Sequence, residues 1–134
     1  KQGVYCPFNS QNTFWKKEFF PLLYLPSTTS FRFTDILRGY IAQRIIWDEG
    51  YCLGYMSATV FQDRNPHNYM CDFEEEIEVY LNVEKVVQEL DSIKLHGNLT
   101  DKLKIVYQRL SELSIVSKDE LGILDAWILD YKAL

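Results

Sequence analysis

Asp35, Arg38 and Gly39 are the residues of this chain whose types and spacing most suggest chemistry. They lie three and four positions apart in a predicted helix, so they share one side of it. A glycine inside a helix costs about 0.5–1 kcal/mol relative to alanine, which suggests that a ligand or another backbone segment approaches there. An acid, a base and bare backbone on one face indicate a site rather than a core. The alternative is an ordinary exposed ion pair, with Asp35 placed to complement the helix dipole.

The element that must position these residues is a helix predicted between Ser30 and Gly50. The Thr34 hydroxyl can cap its first turn, and Gly50 is typical of the position just after a helix end. Apolar side chains at helical spacing give the helix a face to bury against a core. These are Ile36, Tyr40, Ile45 and Ile46.

Five small or amide side chains run consecutively from Asn9 to Thr13, between Phe8 and Phe14-Trp15. Such a loop can cap its own backbone. It can equally hydrogen-bond a polar ligand, with Trp15 offering an apolar face, as in sugar sites generally. Both interpretations remain open at this point. The candidate ligand-binding side chains here are Asn9, Gln11, Asn12 and Thr13.

A second polar tract, QDRNPHNYMCD, covers residues 62–72. Arg64 could hold a phosphate through two parallel hydrogen bonds, and His67 could ligate a metal or carry a proton. Asn68 is a further candidate for substrate binding. The alternative is a solvated connection in which Pro66 and the Asn and Asp residues simply make turns. A lone histidine is more often part of such a connection than of a metal site.

The composition describes one folded domain at most, with 134 residues of which 47% are hydrophobic. The net charge of −5 argues against a nucleic-acid partner, because phosphate binding normally requires a basic excess. No run of about 18 apolar residues occurs, so we expect no membrane segment in this chain. Because the chain begins with Lys1 rather than methionine, we expect it to be a fragment or a processed piece.

The three cysteines, Cys6, Cys52 and Cys71, are widely separated and form no CxxC motif. This pattern argues against both a disulfide framework and a thiolate zinc site. Reduced thiols are typical of the cytosol. The cysteines alone therefore favour a cytoplasmic protein.

The remaining pattern predicts an α+β fold that is predominantly helical. Short strands are expected within residues 1–62, at Gly3–Phe8 and in residues 51–61, and helices are expected from Phe73 onward. Two amphipathic stripes, in residues 103–113 and 117–134, should pack on each other as an antiparallel hairpin. We divide the chain into residues 1–72 and a helical extension, residues 73–134, that packs on them.

Several of these residues occur in an order that resembles one known family. The most specific block runs from Phe31 to Trp47 and contains Thr34-Asp35-Ile36 and Arg38-Gly39-Tyr40. Together with residues 7–13, Leu25-Pro26, the acidic tract 72–76 and residues 121–130, it resembles the STELLO family (the DUF288 domain). The members of that family are proposed glycosyltransferases, and its plant members reside in the Golgi and act in cellulose synthesis. Residues 32–39 are also distantly similar to the acceptor-side helix of the reversibly glycosylated polypeptides, although Leu37 stands in the place of that family's tryptophan.

The resemblance implies the C-terminal part of a GT-A-like glycosyltransferase core, with residues 1–72 on its acceptor side. In that architecture an Asp-x-Asp motif of the nucleotide-binding part holds a divalent metal, Mn²⁺ or Mg²⁺, and no such motif occurs here. The resemblance also implies that Asp35 is the base that activates the acceptor, while Arg38 orients it or holds an acceptor hydroxyl. Asn12 and Thr13 would contact the donor sugar, and His67 or the neighbouring Gln62–Arg64 would lie over the diphosphate.

These implications predict a metal-assisted glycosyltransferase that acts on a nucleotide sugar and a glycan acceptor. The alternative is a non-catalytic interaction module that supports a partner glycan-synthesis enzyme. A helical binding domain without sugar chemistry is a third interpretation. The plant relatives imply a Golgi lumen, whereas the cysteines favour the cytoplasm.

Overall fold

A 3-10 helix (Lys17–Leu23) and four α-helices form the regular secondary structure of the computed structural model, which describes residues 1–8, 10–63 and 65–133. The α-helices are α1 (Phe31–Asp48), α2 (Tyr69–Ser92), α3 (Leu99–Glu112) and α4 (Asp119–Lys132). α1 packs against the 3-10 helix, α2 and α3, and α3 packs on α4. The helix that carries Asp35 and Arg38 is therefore the central element of the fold.

α1 begins earlier than predicted and ends as predicted. Ser30 occupies the N-cap position, and Thr34 lies inside the first turn, where its Oγ1 donates to the carbonyls of Ser30 (3.1 Å) and Pro26 (3.3 Å). The predicted Thr34 cap is thus wrong, because this hydroxyl ties the helix to the preceding loop instead. Gly50 has φ +80°, and the N–H groups of Gly50 and Tyr51 bond back into the last turn. This closing pattern needs a left-handed residue, which glycine adopts without strain.

The core lies where α1 meets the other helices. Phe33, Leu37, Ile41 and Ile45 recur every four residues on α1 and are almost completely buried, as a helix with one face on a core requires. They belong to one apolar cluster with residues of α2, α3 and α4. Its members from those helices include Val86, Leu90, Val106, Leu110, Leu124 and Ile128.

The C-terminal half follows the predicted pattern. α3 and α4 are neighbours joined by a short turn, so the predicted helical hairpin is confirmed. Asn98 caps α3: its Oδ1 accepts from the N–H groups of Thr100 (3.0 Å) and Asp101 (3.1 Å), and Asp101 accepts from the Asn98 N–H (3.1 Å). This reciprocal arrangement is a capping box and satisfies three backbone N–H groups that the helix leaves free.

The short strands expected within residues 1–62 are not confirmed. In the ranges that the structure describes, residues 3–8 and 51–61 pair with no strand. The side chains of Tyr55, Met56 and Phe61 are exposed. A strand pair is stable in water only when its apolar face packs against other elements, and these segments bury no such face. The predominantly helical class is confirmed, whereas the GT-A-like core and the division into residues 1–72 and 73–134 remain predictions.

Candidate functional site

Asp35 and Arg38 are joined through a third side chain, that of Ser10. The Ser10 hydroxyl donates to Asp35 Oδ1 (2.9 Å) and accepts from Arg38 Nη2 (2.8 Å). Asp35 is half-buried, and its Oδ2 has no hydrogen-bond partner among the described residues. The helix face and the polar loop therefore form one group, here called the Asp35 cluster (Ser10, Asp35 and Arg38).

Arg38 is the buried member of the Asp35 cluster, with only 2% of its surface exposed. Its guanidinium carbon lies 5.2 Å from the ring centres of both Phe8 and Trp15, within the range of cation–π attraction. Burial lowers the pKa of Arg38, and the negative charge of Asp35 opposes that effect. Arginine keeps its proton in proteins at neutral pH, so the side chain stays charged. The cluster thus holds a fixed positive charge beside a carboxylate.

The glycine in this face is explained by a neighbouring piece of backbone. A Cβ added at Gly39 would lie 3.2 Å from the Phe8 carbonyl oxygen and 3.3 Å from the Phe8 ring. One turn further on, the buried Gln43 side chain donates to the Cys6 carbonyl (2.7 Å) and accepts from the Cys6 N–H (3.0 Å). Gly39 and Gln43 therefore seat residues 6–8 on α1. A role of Gly39 in substrate binding stays a prediction.

A cavity of about 340 Å³ opens beside the Asp35 cluster, between residues 8–19 and 51–59. Asn12 and Thr59 hydrogen-bond across it, with Asn12 Nδ2 donating to Thr59 Oγ1 (3.0 Å). Thr13 also lines it, whereas Gln11 is exposed. We call this cavity the aromatic cleft. The lining side chains used below are Phe8, Asn12, Trp15, Lys16, Tyr51 and Thr59.

His67 lines a second cavity, of about 410 Å³, at the start of α2. His67 Nδ1 lies 3.0 Å from Asp72 Oδ2, and Asp72 also pairs with Arg32, which bonds Glu75 (3.2 Å). Asn68 caps α2, because its side chain accepts from the N–H groups of the first turn. The acidic start of α2 therefore complements both the helix dipole and Arg32.

The predicted site residues fall into two groups. Asp35, Arg38 and Gly39 of α1 lie beside the loop that carries Asn12 and Thr13, whereas His67 lines the second cavity and Asn68 caps α2. The two cavities share no lining residue, and Asp35 lines neither. Asn9 and Arg64 lie outside the described residues, so their contacts stay predictions.

Two polar residues of this region were missed by sequence reasoning. One is Ser10, although it lies within the predicted polar loop. The other is Glu120, which is fully buried and accepts hydrogen bonds from the Tyr24 hydroxyl and the N–H groups of Ser27 (3.0 Å) and Thr28 (2.8 Å). Burial by itself raises the pKa of Glu120, but hydrogen bonds from Thr28, Tyr24 and Ser27 outweigh it, so the net pKa is lowered. Glu120 thereby fixes the loop that leads into α1.

Glu120 lies three residues after Ser117, a spacing that is typical of a local capping box. Ser117 Oγ does accept from the Asp119 N–H (3.2 Å). The Glu120 carboxylate instead reaches residues more than 90 positions away. A carboxylate at this spacing serves a local cap or a distant loop equally well, and the sequence pattern does not distinguish them.

The described part of this chain contains no complete set of ligands for the divalent metal that the family resemblance implies. There, no three His, Cys, Asp or Glu side chains cluster so as to hold one. His67 and Asp72 offer at most two ligands, and Asp72 is already paired with Arg32. These residues alone do not fit a metal site, so a metal would require ligands from elsewhere in the protein.

No helix within the described ranges is long and apolar enough to cross a membrane.

Comparison with known proteins identifies the family to which the chain belongs. The sequence model of the STELLO glycosyltransferases matches residues 32–134. "Probable glycosyltransferase STELLO1" of Arabidopsis thaliana is 28% identical over 135 residues, which cover 99% of this chain and 17% of that protein. "Probable glycosyltransferase STELLO2" of the same plant is 32% identical over 87 residues, covering 65% of this chain and 11% of that protein.

The chain thus spans less than a fifth of the length of these curated relatives. No solved structure is significantly similar to it. The family match covers all of α1 except its first residue, and with it Asp35, Arg38 and Gly39. The chain belongs to the STELLO glycosyltransferase family.

Proposed function

We propose that this chain supplies the acceptor-activating part of a nucleotide-sugar glycosyltransferase, with Asp35 as the base. The observation that carries the proposal is the Asp35 cluster. One carboxylate oxygen is fixed by the Ser10 hydroxyl at 2.9 Å, while the other has no partner among the described residues. A base needs this combination, because it must be held in place and still offer a lone pair to the acceptor hydroxyl.

The reaction would begin with an acceptor hydroxyl donating its proton to Asp35 Oδ2 as the oxygen attacks the anomeric carbon of the donor sugar. Arg38 stays protonated and reaches Asp35 through Ser10, so the Ser10 hydroxyl is oriented with its proton towards the carboxylate. Arg38 is almost wholly buried, and this suits a positioning role better than contact with substrate.

The donor side of the reaction would lie largely outside this chain. A nucleotide sugar and a divalent metal, Mn²⁺ or Mg²⁺, belong to the proposal through the family, in a GT-A-like architecture. A bound metal would stabilise the charge that develops on the departing diphosphate. His67 and the neighbouring Gln62–Arg64 are the residues of this chain proposed to face that diphosphate, and Asn68 is proposed to bind substrate. Asn9, Gln11, Asn12 and Thr13 are proposed to contact sugar.

The test is Asp35→Asn in the longest natural form of the protein, assayed for sugar transfer. The substitution keeps the shape and the Ser10 contact but removes the basic lone pair, so we expect the rate to fall by about 100-fold to 10,000-fold. Asp125→Asn, at an exposed aspartate of α4, is the control and should retain full activity. Unchanged turnover in Asp35→Asn would remove Asp35 as the base.

A second candidate function, an interaction module for a partner glycan-synthesis enzyme, is favoured by the first three turns of α2. Large apolar side chains there are exposed at helical spacing, and monomers rarely leave so many on one face. They are Tyr69, Met70, Phe73, Ile77, Tyr80 and Leu81. Glu74 and Glu84 flank this row, so a partner would present an apolar surface with basic edges.

Variants assayed for glycan synthesis in cells distinguish the two proposed functions. A module would sustain glycan synthesis with Asp35→Asn and lose it with the charge-introducing pair Phe73→Asp and Leu81→Asp. A transferase would show the opposite sensitivity. Folding of the double variant is checked by its thermal unfolding, because both side chains are exposed and should contribute little to the core.

A further inference from the structure

The aromatic cleft has the properties of a site for an uncharged sugar chain. We infer that it binds a neutral saccharide as the acceptor of the proposed transfer reaction, rather than the nucleotide-bearing donor. The inference rests on the proposed function and names the substrate class of its acceptor side. It assigns Asn12 and Thr13 to the acceptor, whereas the family resemblance assigned them to the donor sugar.

The walls of the cleft are held together by side-chain contacts. Asn12 and Thr59 tie the polar loop to residues 51–59 through the Nδ2–Oγ1 hydrogen bond at 3.0 Å. The Tyr55 hydroxyl donates to Cys6 Sγ (3.1 Å). The backbone of Cys6 is in turn held on α1 by the Gln43 side chain. The cleft is therefore built on the same piece of chain, residues 6–8, that is seated on the helix carrying Asp35.

The lining suits the two kinds of surface that a pyranose ring presents. Phe8, Trp15 and Tyr51 offer aromatic rings against which apolar C–H faces can pack. Asn12, Ser57 and Thr59 supply amide and hydroxyl groups that can hydrogen-bond the sugar hydroxyls. The volume of about 340 Å³ lies at the lower end of the usual range for small-molecule sites, about 300–1,000 Å³.

Charge argues against a nucleotide in this cleft. Among its lining residues Lys16 is the single ionised side chain, and its ammonium lies 4.1 Å from the centre of the Tyr51 ring and 3.6 Å from Glu18. Arg38 contacts the rings of Phe8 and Trp15 and is committed to Ser10. The described lining residues therefore offer a diphosphate one cation, Lys16, which already contacts Glu18 and the Tyr51 ring, whereas a neutral saccharide needs none.

The test is calorimetric titration of the longest natural form of the protein with neutral oligosaccharides. The probes are tetramers of β-1,4-linked glucose, α-1,4-linked glucose and β-1,4-linked mannose, with uridine monophosphate as the charged comparison. We expect at least one tetramer to bind, Trp15→Ala to weaken it about tenfold or more, and Thr59→Val to weaken it less. Phe31→Ala, at an exposed aromatic residue at the start of α1, is the matched control and should not change the affinity.

Three results would overturn the inference. These are the absence of binding by every tetramer, an affinity indifferent to both cleft variants, and displacement of the bound tetramer by uridine monophosphate. Thr59→Val keeps the test decisive if Trp15→Ala fails to fold, because the Thr59 side chain is exposed and valine has nearly the same shape.

The outcome is separable from that of the proposed function. Asp35→Asn should bind the tetramer with nearly the wild-type affinity, because Asp35 lies outside the cleft and would contact only the reacting hydroxyl. If Asp35→Asn loses sugar transfer but no tetramer binds to the wild-type protein, Asp35 remains the proposed base and the cleft is not a saccharide site. If saccharide binding depends on Trp15 but sugar transfer does not depend on Asp35, the cleft is the saccharide site and Asp35 is not the base.

Discussion

The Ser10 hydroxyl donates a hydrogen bond of 2.9 Å to Asp35, across a sequence separation of 25 residues. The same hydroxyl accepts from Arg38 at 2.8 Å, so its proton is directed towards the carboxylate. A hydroxyl in this position fixes one carboxylate oxygen and transmits the neighbouring positive charge. The loop thereby aims a carboxylate that would otherwise be free to rotate at the start of α1.

The first prediction concerns Ser10→Ala. Removing the hydroxyl leaves Asp35 as a base but no longer holds its orientation, so we expect kcat for sugar transfer to fall by about tenfold. KM for the acceptor should stay nearly constant, because Ser10 is not among the lining residues of the aromatic cleft. Ser92→Ala, at the exposed end of α2, is the control. An equal loss in kcat for Ser10→Ala and Asp35→Asn would indicate that Ser10 itself takes part in proton transfer.

The second prediction concerns Glu120→Gln. The buried carboxylate accepts from Tyr24, Ser27 and Thr28, and a glutamine would turn an NH₂ group towards donors that need an acceptor. Hydrogen bonds to a charged group are worth about 1.5–3 kcal/mol, so we expect the free energy of unfolding to fall by about 2–3 kcal/mol. Urea denaturation measures it, with Asp119→Asn in the same helical turn as the control. A loss no larger than that of the control would show that the loop does not depend on the charge.

The third prediction is the pH dependence of this contact. The pKa of Glu120 is lower in the folded protein than its usual value of 4.5, so the folded state favours the ionised form. The corresponding stability is complete above pH 4.5 and is lost as the pH falls through the lower folded-state pKa. Thermal unfolding should therefore show a steeper acid limb in the wild type than in Glu120→Gln. Parallel acid limbs would assign acid unfolding to other carboxylates.

Local signals in the sequence sufficed for part of the fold. Gly50 and Asn98 act through bonds to residues a few positions away, so their effects as helix ends are visible in the sequence. The start of α1 was missed because Thr34 bonds to both Ser30 and Pro26, and a hydroxyl suited to capping also bonds inside a turn. The strands expected in residues 51–61 depend on a neighbouring strand, which a local pattern does not specify.

The candidate site was predictable only as separate pieces. The spacing of Asp35 and Arg38 follows from helix geometry, but their link through Ser10 joins loop and helix across 25 residues and needs the tertiary fold. Glu120 lies further still along the chain, more than 90 residues from its partners. Gly39 was predicted to face a close approach, and the approaching group is Phe8.

The fourth prediction uses the two glycines inside α-helices, Gly39 and Gly122. Gly122→Ala has no atom within 4 Å of the added Cβ, so we expect the gain of about 0.5–1 kcal/mol that helix propensity gives. At Gly39 the added Cβ meets the Phe8 carbonyl at 3.2 Å, and overpacking costs about 1–3 kcal/mol. Gly39→Ala should therefore lower the free energy of unfolding by about 1 kcal/mol. An equal gain at both positions would mean that Phe8 moves aside without cost.

The fifth prediction separates two roles of His67, as the partner of Asp72 and as a metal ligand. In the longest natural form of the protein we expect Mn²⁺ to raise the Tm and His67→Ala to reduce that rise. A bound metal stabilises the folded protein in proportion to ln(1 + [L]/Kd), and loss of a coordinating side chain raises the Kd of the metal. His96→Ala is the matched control, since His96 is the other histidine of the chain and is exposed. Equal Mn²⁺-dependent rises in the two variants would exclude His67 as a ligand. The hydrogen bond with Asp72 at 3.0 Å would then be its role, worth at most about 1 kcal/mol at this exposure.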